Sequence, residues 1–233
     1  MGTVFEKSKV PLNKWLMVVH LMCASKKAIS SLQISRMIGI TYKSAWFMTH
    51  RVREAMKPGN AGLMGTNGGV VEADETYWGT SKSKPVNARG YEHKMKVVSL
   101  VERGGEKRSI VVPSVNSKTL RVVLESNVCK SAHLMTDEFG GYKKLGKEFA
   151  SHRFTTHQSG QYADGNTHSN TVESSFSLLK RGLIGTFHHV GEQHLQRYVT
   201  EFDFRWNHRK ISDRERSDKL LQSVAGKRLT YRA

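Results

Sequence analysis

The stretch VVEADETYWG, residues 70–79, sets three carboxylates, Glu72, Asp74 and Glu75, within four positions. Valines precede them and aromatics follow, so the segment reads as a strand. Acidic residues are poor strand formers and expensive to bury. Their concentration here is the more unusual because the chain is basic, with 37 Lys+Arg against 20 Asp+Glu and a formal charge of +17. Side chains alternate along a strand, so Glu72 and Asp74 share one face and Glu75 takes the other. The three acids therefore need not share one job.

Working outward, KMKVVSLVER and KRSIVVPSV are two further strand-like runs joined by RGGE, a hairpin signal. SKTLRVVLESNV reads as a helix, SAHLMTDEFG as a buried strand ending at Asp137, and SHRFTTH as another short strand. SNTVESSFSLLKRGLIG and EQHLQRYVTEFDFRWNHRK are amphipathic helices. The order β-β-β-α-β-(α)-β-α-α gives an α/β domain, a mixed sheet with helices packed on it. In the first of the last two helices, Val172, Phe176, Leu179 and Leu183 form the buried stripe. Asn170, Glu173, Ser177 and Lys180 share another face. Two strand-borne aspartates and a helix-borne glutamate supply oxygen donors suited to a hard cation. A surface acid with a paired cation is the ordinary reading of each one taken alone.

Upstream, residues 13–56 read as helical. SSLQISRMI and YKSAWFMTHRVREAM are helices separated only by GIT, with Thr41 as N-cap and Gly39 in the turn. Ala45, Met48, Val52 and Met56 make one apolar stripe. The opposite face offers Lys43, Ser44, Phe47, His50, Arg51 and Glu54. This is a helix-turn-helix pattern whose second helix can enter a major groove, or else a helical hairpin with a solvated polar face. The positive charge favours DNA. KPGNAGLMGTNGG, residues 57–69, lacks periodicity and reads as a linker. The organisation expected is a helical region over 1–57, a linker over 58–69, a catalytic α/β domain over 70–210 and a basic C-terminal tail over 211–233.

Composition excludes several classes. No window approaches about 18 apolar residues, so no membrane span is expected, and the N-terminus lacks a signal-type apolar core. A cytoplasmic, nucleoid-associated protein is the expectation. Cys23 and Cys129 are far apart and form no CxxC pair, so zinc is not expected despite His188, His189 and His194.

Between Asp74 and Asp137 lie 62 residues, and between Asp137 and Glu173 lie 35, with Lys180 one heptad beyond. This pattern resembles the D,D(35)E–K signature of DDE transposases and retroviral-type integrases. Longer motifs extend the likeness over nearly the whole chain: GTVFEKSKVPLNKW, AWFMTHRVREAM, VEADETYWG, TDEFGGY, HSNTVESSFSLLKRG, GTFHHV and EFDFRWNHRK. They are similar to the ISXO-type insertion-sequence transposases of bacteria.

The resemblance implies an RNase H-like catalytic domain preceded by the helix-turn-helix. It implies Asp74, Asp137 and Glu173 as ligands of two Mg²⁺ (or Mn²⁺) ions, with Asn170, in an NxxE element, as the weaker alternative for the third position. Lys180 and Arg181, with Lys43, Ser44, Phe47 and Arg51 of the helix-turn-helix, become the expected DNA contacts. The partners implied are the terminal inverted repeats of an element and its target DNA, within a homo-oligomer. The activity implied is cleavage at the element ends followed by strand transfer. A non-cleaving derivative acting as a repressor, or an RNase H-like nuclease, is the alternative. Family members usually begin with a cysteine-rich zinc ribbon ahead of the GTVFE segment. This chain starts at that segment, so a shortened member is expected.

Overall fold

A computed structural model describes residues 2–59, 61–82, 87, 89–155 and 169–230. In chain order its elements are α1 (Leu12–Ala24), α2 (Ser31–Ile38), α3 (Tyr42–Ala55), β1 (Val70–Trp78), β2 (Met95–Glu102), β3 (Lys107–Val112) and α4 (Ser117–Asn127). There follow β4 (His133–Thr136), α5 (Gly140–Leu145), β5 (Ser151–Phe154), α6 (Asn170–Gly182), α7 (Glu192–Asn207) and α8 (Asp213–Gln222). Two compact units result. Met1–Gly59, Leu178–Val190 and Arg197–Ala233 form the first, and Asn60–Ser177 with Gly191–Gln196 the second. Boundaries read along the chain at 57, 69 and 210 differ from these units, because α6 and α7 each begin in the second and end in the first.

The second unit is built on a five-stranded sheet in the order β3-β2-β1-β4-β5. β1 pairs antiparallel with β2 and parallel with β4, β2 pairs antiparallel with β3, and β4 pairs parallel with β5. This is the RNase H-like mixed sheet, and β1, the acidic strand, lies at its centre. Val71 and Ala73 face a core with Leu100, Leu120, Leu124, Leu134 and Tyr142. The RGGE segment closes the β2–β3 hairpin, with the Glu102 N–H donating to the Glu106 carbonyl at 2.9 Å. The segment expected as a linker is ordered where it meets this unit. Met64 is buried, its N–H donates to the Asn127 carbonyl, and its own carbonyl accepts from the Cys129 N–H. Of SHRFTTH, Ser151–Phe154 is β5, and Thr156 and His157 lie outside the described residues.

In the first unit the stripe Ala45, Met48, Val52 and Met56 is buried against α1 residues Trp15, Val18, Val19, Met22 and Cys23. α2 and α3 are joined by a three-residue turn whose Gly39 sits at φ 63°, a left-handed conformation natural to glycine. Thr41 caps α3 by accepting from the Ser44 N–H. Gly182 ends α6 where a Cβ would lie 2.2 Å from the Phe202 ring, so only glycine admits this approach. Part of the stretch expected as a basic tail is α8, opened by a Ser212–Glu215 capping box. Its Leu220 is fully buried in the α1 core.

Cations hold this unit from within. α1 has no basic residue in its last turn. Arg205 from α7 donates to the carbonyls of Met22 and Ser25, and Arg216 from α8 donates to that of Cys23. Borrowed guanidiniums thus satisfy the orphan carbonyls and the negative dipole end of α1. Fully buried Glu201 binds Arg53 Nε at 2.7 Å and also accepts from Arg205. Removing one partner of such a network leaves charge buried without compensation. Glu201→Ala is expected to lower the unfolding free energy by about 3–5 kcal/mol in urea titrations. Lys57→Ala, which removes a surface pair with Glu54, is expected to leave the midpoint within scatter.

Candidate functional site

The site is assembled on neighbouring strands of the second unit. The β1–β4 register pairs Val70 with His133, Val71 with Leu134 and Glu72 with Met135. Carried two residues further, the same register sets Asp74 level with Asp137, immediately beyond the end of β4. The spacing between the two aspartates is thus the register of the parallel pair. Asp137 leaves the strand in a turn, its Oδ1 accepting from the Phe139 N–H at 3.0 Å. Asp74 Oδ1 accepts from the Glu75 N–H at 2.7 Å.

Strand alternation separates the three acids of β1 as expected. Glu75 points to the face that carries the Tyr142 core, and its Oε2 accepts from the Tyr142 hydroxyl at 3.1 Å. Glu72 is fully buried and makes the joint between sheet and helix. Its Oε2 accepts from the backbone N–H groups of Thr171 and Val172 at 2.9 and 3.1 Å, and its Oε1 from the Thr171 hydroxyl at 2.9 Å. Arg103 Nε completes the pocket at 2.7 Å from Oε1. A strand carboxylate therefore fills the anion site that a helix N-terminus offers. The helix so fixed is α6, which carries Glu173 in its first turn. Ser169 donates its hydroxyl to Glu173 Oε1 at 2.9 Å, holding that carboxylate at the start of the helix.

The acids act on one another. Burial, then the negative charges of Asp137 and Glu75, push the Asp74 carboxyl up to about 8, with Glu173 adding to the shift. Burial, then Asp137, push Glu75 up to about 7. Burial and the same acids raise Tyr142 well above the usual phenol range. Asp74, Glu75, Asp137 and Glu173 thus form one electrostatic cluster, and a cation would relieve it. Its donors are all carboxylate oxygens, a set that fits Mg²⁺ or Mn²⁺ rather than a softer metal. Among the described residues no three His, Cys, Asp or Glu side chains stand close enough to enclose one ion. The cluster as it stands is therefore an open set of carboxylates and not a closed coordination shell.

Other expected residues are distributed differently. Asn170 is exposed at the first position of α6, and Lys180 and Arg181 are exposed near its C-terminal end. In the helix-turn-helix, Lys43 is exposed, Ser44 bonds the Thr41 hydroxyl, and Phe47 is half-buried. Arg51 corrects the expectation of an outward DNA contact. It is buried, donating from Nη1 to the carbonyls of Val4 and Glu6 and from Nε to that of Leu229. Its guanidinium also covers the Phe47 ring at 4.7 Å. Three carbonyls within reach of one rigid fork outcompete solvent for this side chain. His188 and His189 are exposed, and His194 is half-buried in the first turn of α7. Sequence reading missed the joint made by Glu72. Its signal was present in the shared face of Glu72 and Asp74 and in the Ser-Asn-Thr start of α6.

An RNase H-like sheet with Asp74 midway along its central strand, Asp137 just past the end of the neighbouring parallel strand and Glu173 on α6 is a frame that suits a DNA-processing protein. Residues 66–207 match the ISXO2-like transposase domain. A protein in transposable element ISH50 of Halobacterium salinarum is 30% identical over 220 residues, 88% of this chain and 72% of that protein. A transposase-like protein of Haemophilus influenzae is 28% identical over 103 residues, 44% of this chain and 82% of that protein. The chain belongs to the ISXO2-like transposase family, and DNA is its class of partner. Among the described residues no helix is long and apolar enough to cross a membrane.

Two expectations follow from the site. Glu72→Ala strips two helix N–H groups and Arg103 of their partner, and should cost about 3–5 kcal/mol in urea unfolding. An unchanged midpoint would refute the joint. Asp74 and Glu75 have folded-state pKa values raised above their ordinary range, so the native state binds more protons than the unfolded chain. Their contribution is complete below about pH 4 and is lost as pH rises toward about 8. In EDTA the thermal midpoint is expected to fall between about pH 6 and 8.5, and Asp74→Asn to flatten that slope.

Proposed function

We propose that the chain is a DDE transposase: with Mg²⁺ or Mn²⁺ it cleaves DNA at the ends of an insertion sequence and transfers the freed strand into target DNA. The supporting observation is the alignment of Asp74 and Asp137 on adjacent parallel strands, electrostatically coupled to each other and to Glu173. Asp74, Asp137 and Glu173 would hold the metal. When bound there it supplies Lewis-acid polarisation of phosphate oxygen and activation of the attacking hydroxyl.

The chain's own residues do the rest. Glu72 and Ser169 fix the helix start that presents Glu173, so the third carboxylate is preset before substrate arrives. Asn170, Lys180 and Arg181 lie on the exposed surface of the same helix, where the two cations neutralise phosphates. Glu75, held by Tyr142, adds negative charge beside the ligands and strengthens cation binding. No side chain serves as a covalent nucleophile. The helix-turn-helix contributes Lys43 and the start of α3 to recognition of the terminal repeats, without Arg51. Two ends held together require more than one copy, hence a homo-oligomer in the active complex.

The test is purified protein with labelled DNA carrying the element ends. Asp74→Asn, Asp137→Asn and Glu173→Gln are expected to bring metal-dependent nicking to background while salt-dependent DNA binding persists. Wild type that binds ends and never cuts in Mg²⁺ or Mn²⁺ would be a repressor, and cutting without joining a nuclease. A second readout needs no activity: millimolar Mg²⁺ at about pH 8 should raise the thermal midpoint of wild type by several degrees and that of Asp74→Asn by much less.

A further inference from the structure

The first unit contains a second feature that the catalytic reading leaves unused, a cleft of about 530 Å³. Tyr42, Trp46, Phe187 and Tyr198 line it, with His188 and His189 among the remaining residues and no acidic side chain. Tyr42 and Trp46 are one turn apart on α3 and so share a face. That face differs from the one carrying Lys43 and Phe47. The aromatic lining runs from buried Tyr198, through half-buried Trp46 and Phe187, to Tyr42, which is 55% exposed.

The rings are held in place. Phe187 meets Tyr198 edge to face at 4.6 Å between centroids, and the Arg53 guanidinium lies 4.0 Å from the Tyr198 ring and 5.3 Å from Phe187. Arg53 is ion-paired to Glu201 through Nε, and its Nη atoms, buried and without a hydrogen bond among the described residues, lie against these rings. Beside them the backbone is strained. His188 has φ 57° and ψ −48°, and the His189 N–H donates to the Phe187 carbonyl at 2.6 Å. This is a γ-turn of the rare positive-φ hand, which leaves both imidazoles exposed. The first turn of α2, at Ser31 and Leu32, also opens on the cleft, and helix-start amides attract phosphate.

From this combination we infer that the cleft takes an unpaired nucleobase of a DNA strand, stacked among Tyr42, Trp46 and Phe187, with its phosphate toward the start of α2. Rigid aromatic walls, polar groups and no carboxylate are what a base with its anionic backbone needs, and base stacking on aromatics is tolerant of sequence. Ser30, Ser31 and Thr186 are already bonded to the Gln33 N–H, the Thr49 hydroxyl and the Lys27 carbonyl, so the exposed His188 and His189 are the polar side chains left to meet a ligand. The inference rests on DNA as the partner and goes beyond it by assigning a base-binding site away from the carboxylates.

The experiment measures affinity of the full chain for labelled oligo(dT) and for an abasic strand of equal length and charge, without metal. Wild type is expected to bind the base-bearing strand roughly tenfold more tightly, with quenching of tryptophan fluorescence. Tyr42→Ala removes an exposed ring, and His188→Gly places at positive φ the residue that tolerates it. Both should keep the wild-type urea midpoint and abasic affinity yet lose most of the preference. Equal wild-type affinity for the two strands, or variants that retain the full preference, would overturn the inference. End cleavage measured in parallel separates the two readings. Cleavage without base preference refutes the cleft alone. Base preference without cleavage supports the cleft and refutes the transposase mechanism.

Discussion

The catalytic unit depends on one buried carboxylate. Glu72 lies on the central strand with no exposed surface, a placement that would cost several kcal/mol if uncompensated. It is compensated by Arg103, by the Thr171 hydroxyl and by two N–H groups at the start of α6, where the helix dipole also favours negative charge. The consequence is positional. Because these bonds join a carboxylate of the central strand to the helix start, α6 cannot turn about its axis or slide without breaking a charge-assisted network. Glu173 therefore inherits its place from Glu72.

With the frame fixed, the remaining acids are forced together at a cost. Asp74 and Asp137 are brought level by sheet register, which the apolar pattern of β1 and β4 sets and which a one-residue slip would invert. Glu75 cannot withdraw, since its face is closed by Tyr142. The chain thus keeps carboxyls that resist ionisation near neutral pH, the kind of local conflict that folded proteins retain at functional sites. Under the proposed function, a cation bound there would restore the stability surrendered.

Much of this was legible from residues alone. Strand and helix order, the stripes Ala45–Met56 and Val172–Leu183, the Thr41 cap and the facing of Glu72 and Asp74 against Glu75 all follow from periodicity and capping chemistry. Those rules are local, and the structure obeys them. What escaped was non-local. Nothing in the periodicity of α3 tells that Arg51 meets carbonyls of Val4, Glu6 and Leu229, which lie far from it in sequence. The 57–69 segment looked like a linker because its glycines hide the bridge that Met64 makes to Val128. α8 looked like a tail because it is rich in charge, and its capping box and Leu220 count for more than its mean polarity.

The same non-local contacts change what the formal charge of +17 means. Arg51, Arg53, Arg205 and Arg216 each direct a guanidinium into the first unit, onto carbonyls, rings or Glu201. Arginine suits this work because its planar fork meets several acceptors at once and is less strongly hydrated than an ammonium. Such residues cannot release counterions from DNA, so the electrostatic footprint is smaller than composition suggests. Lys43, Lys143, Lys144, Lys180, Arg181 and Lys210, by contrast, are exposed. Charge in this chain does two physical jobs, and burial decides which side chain does which.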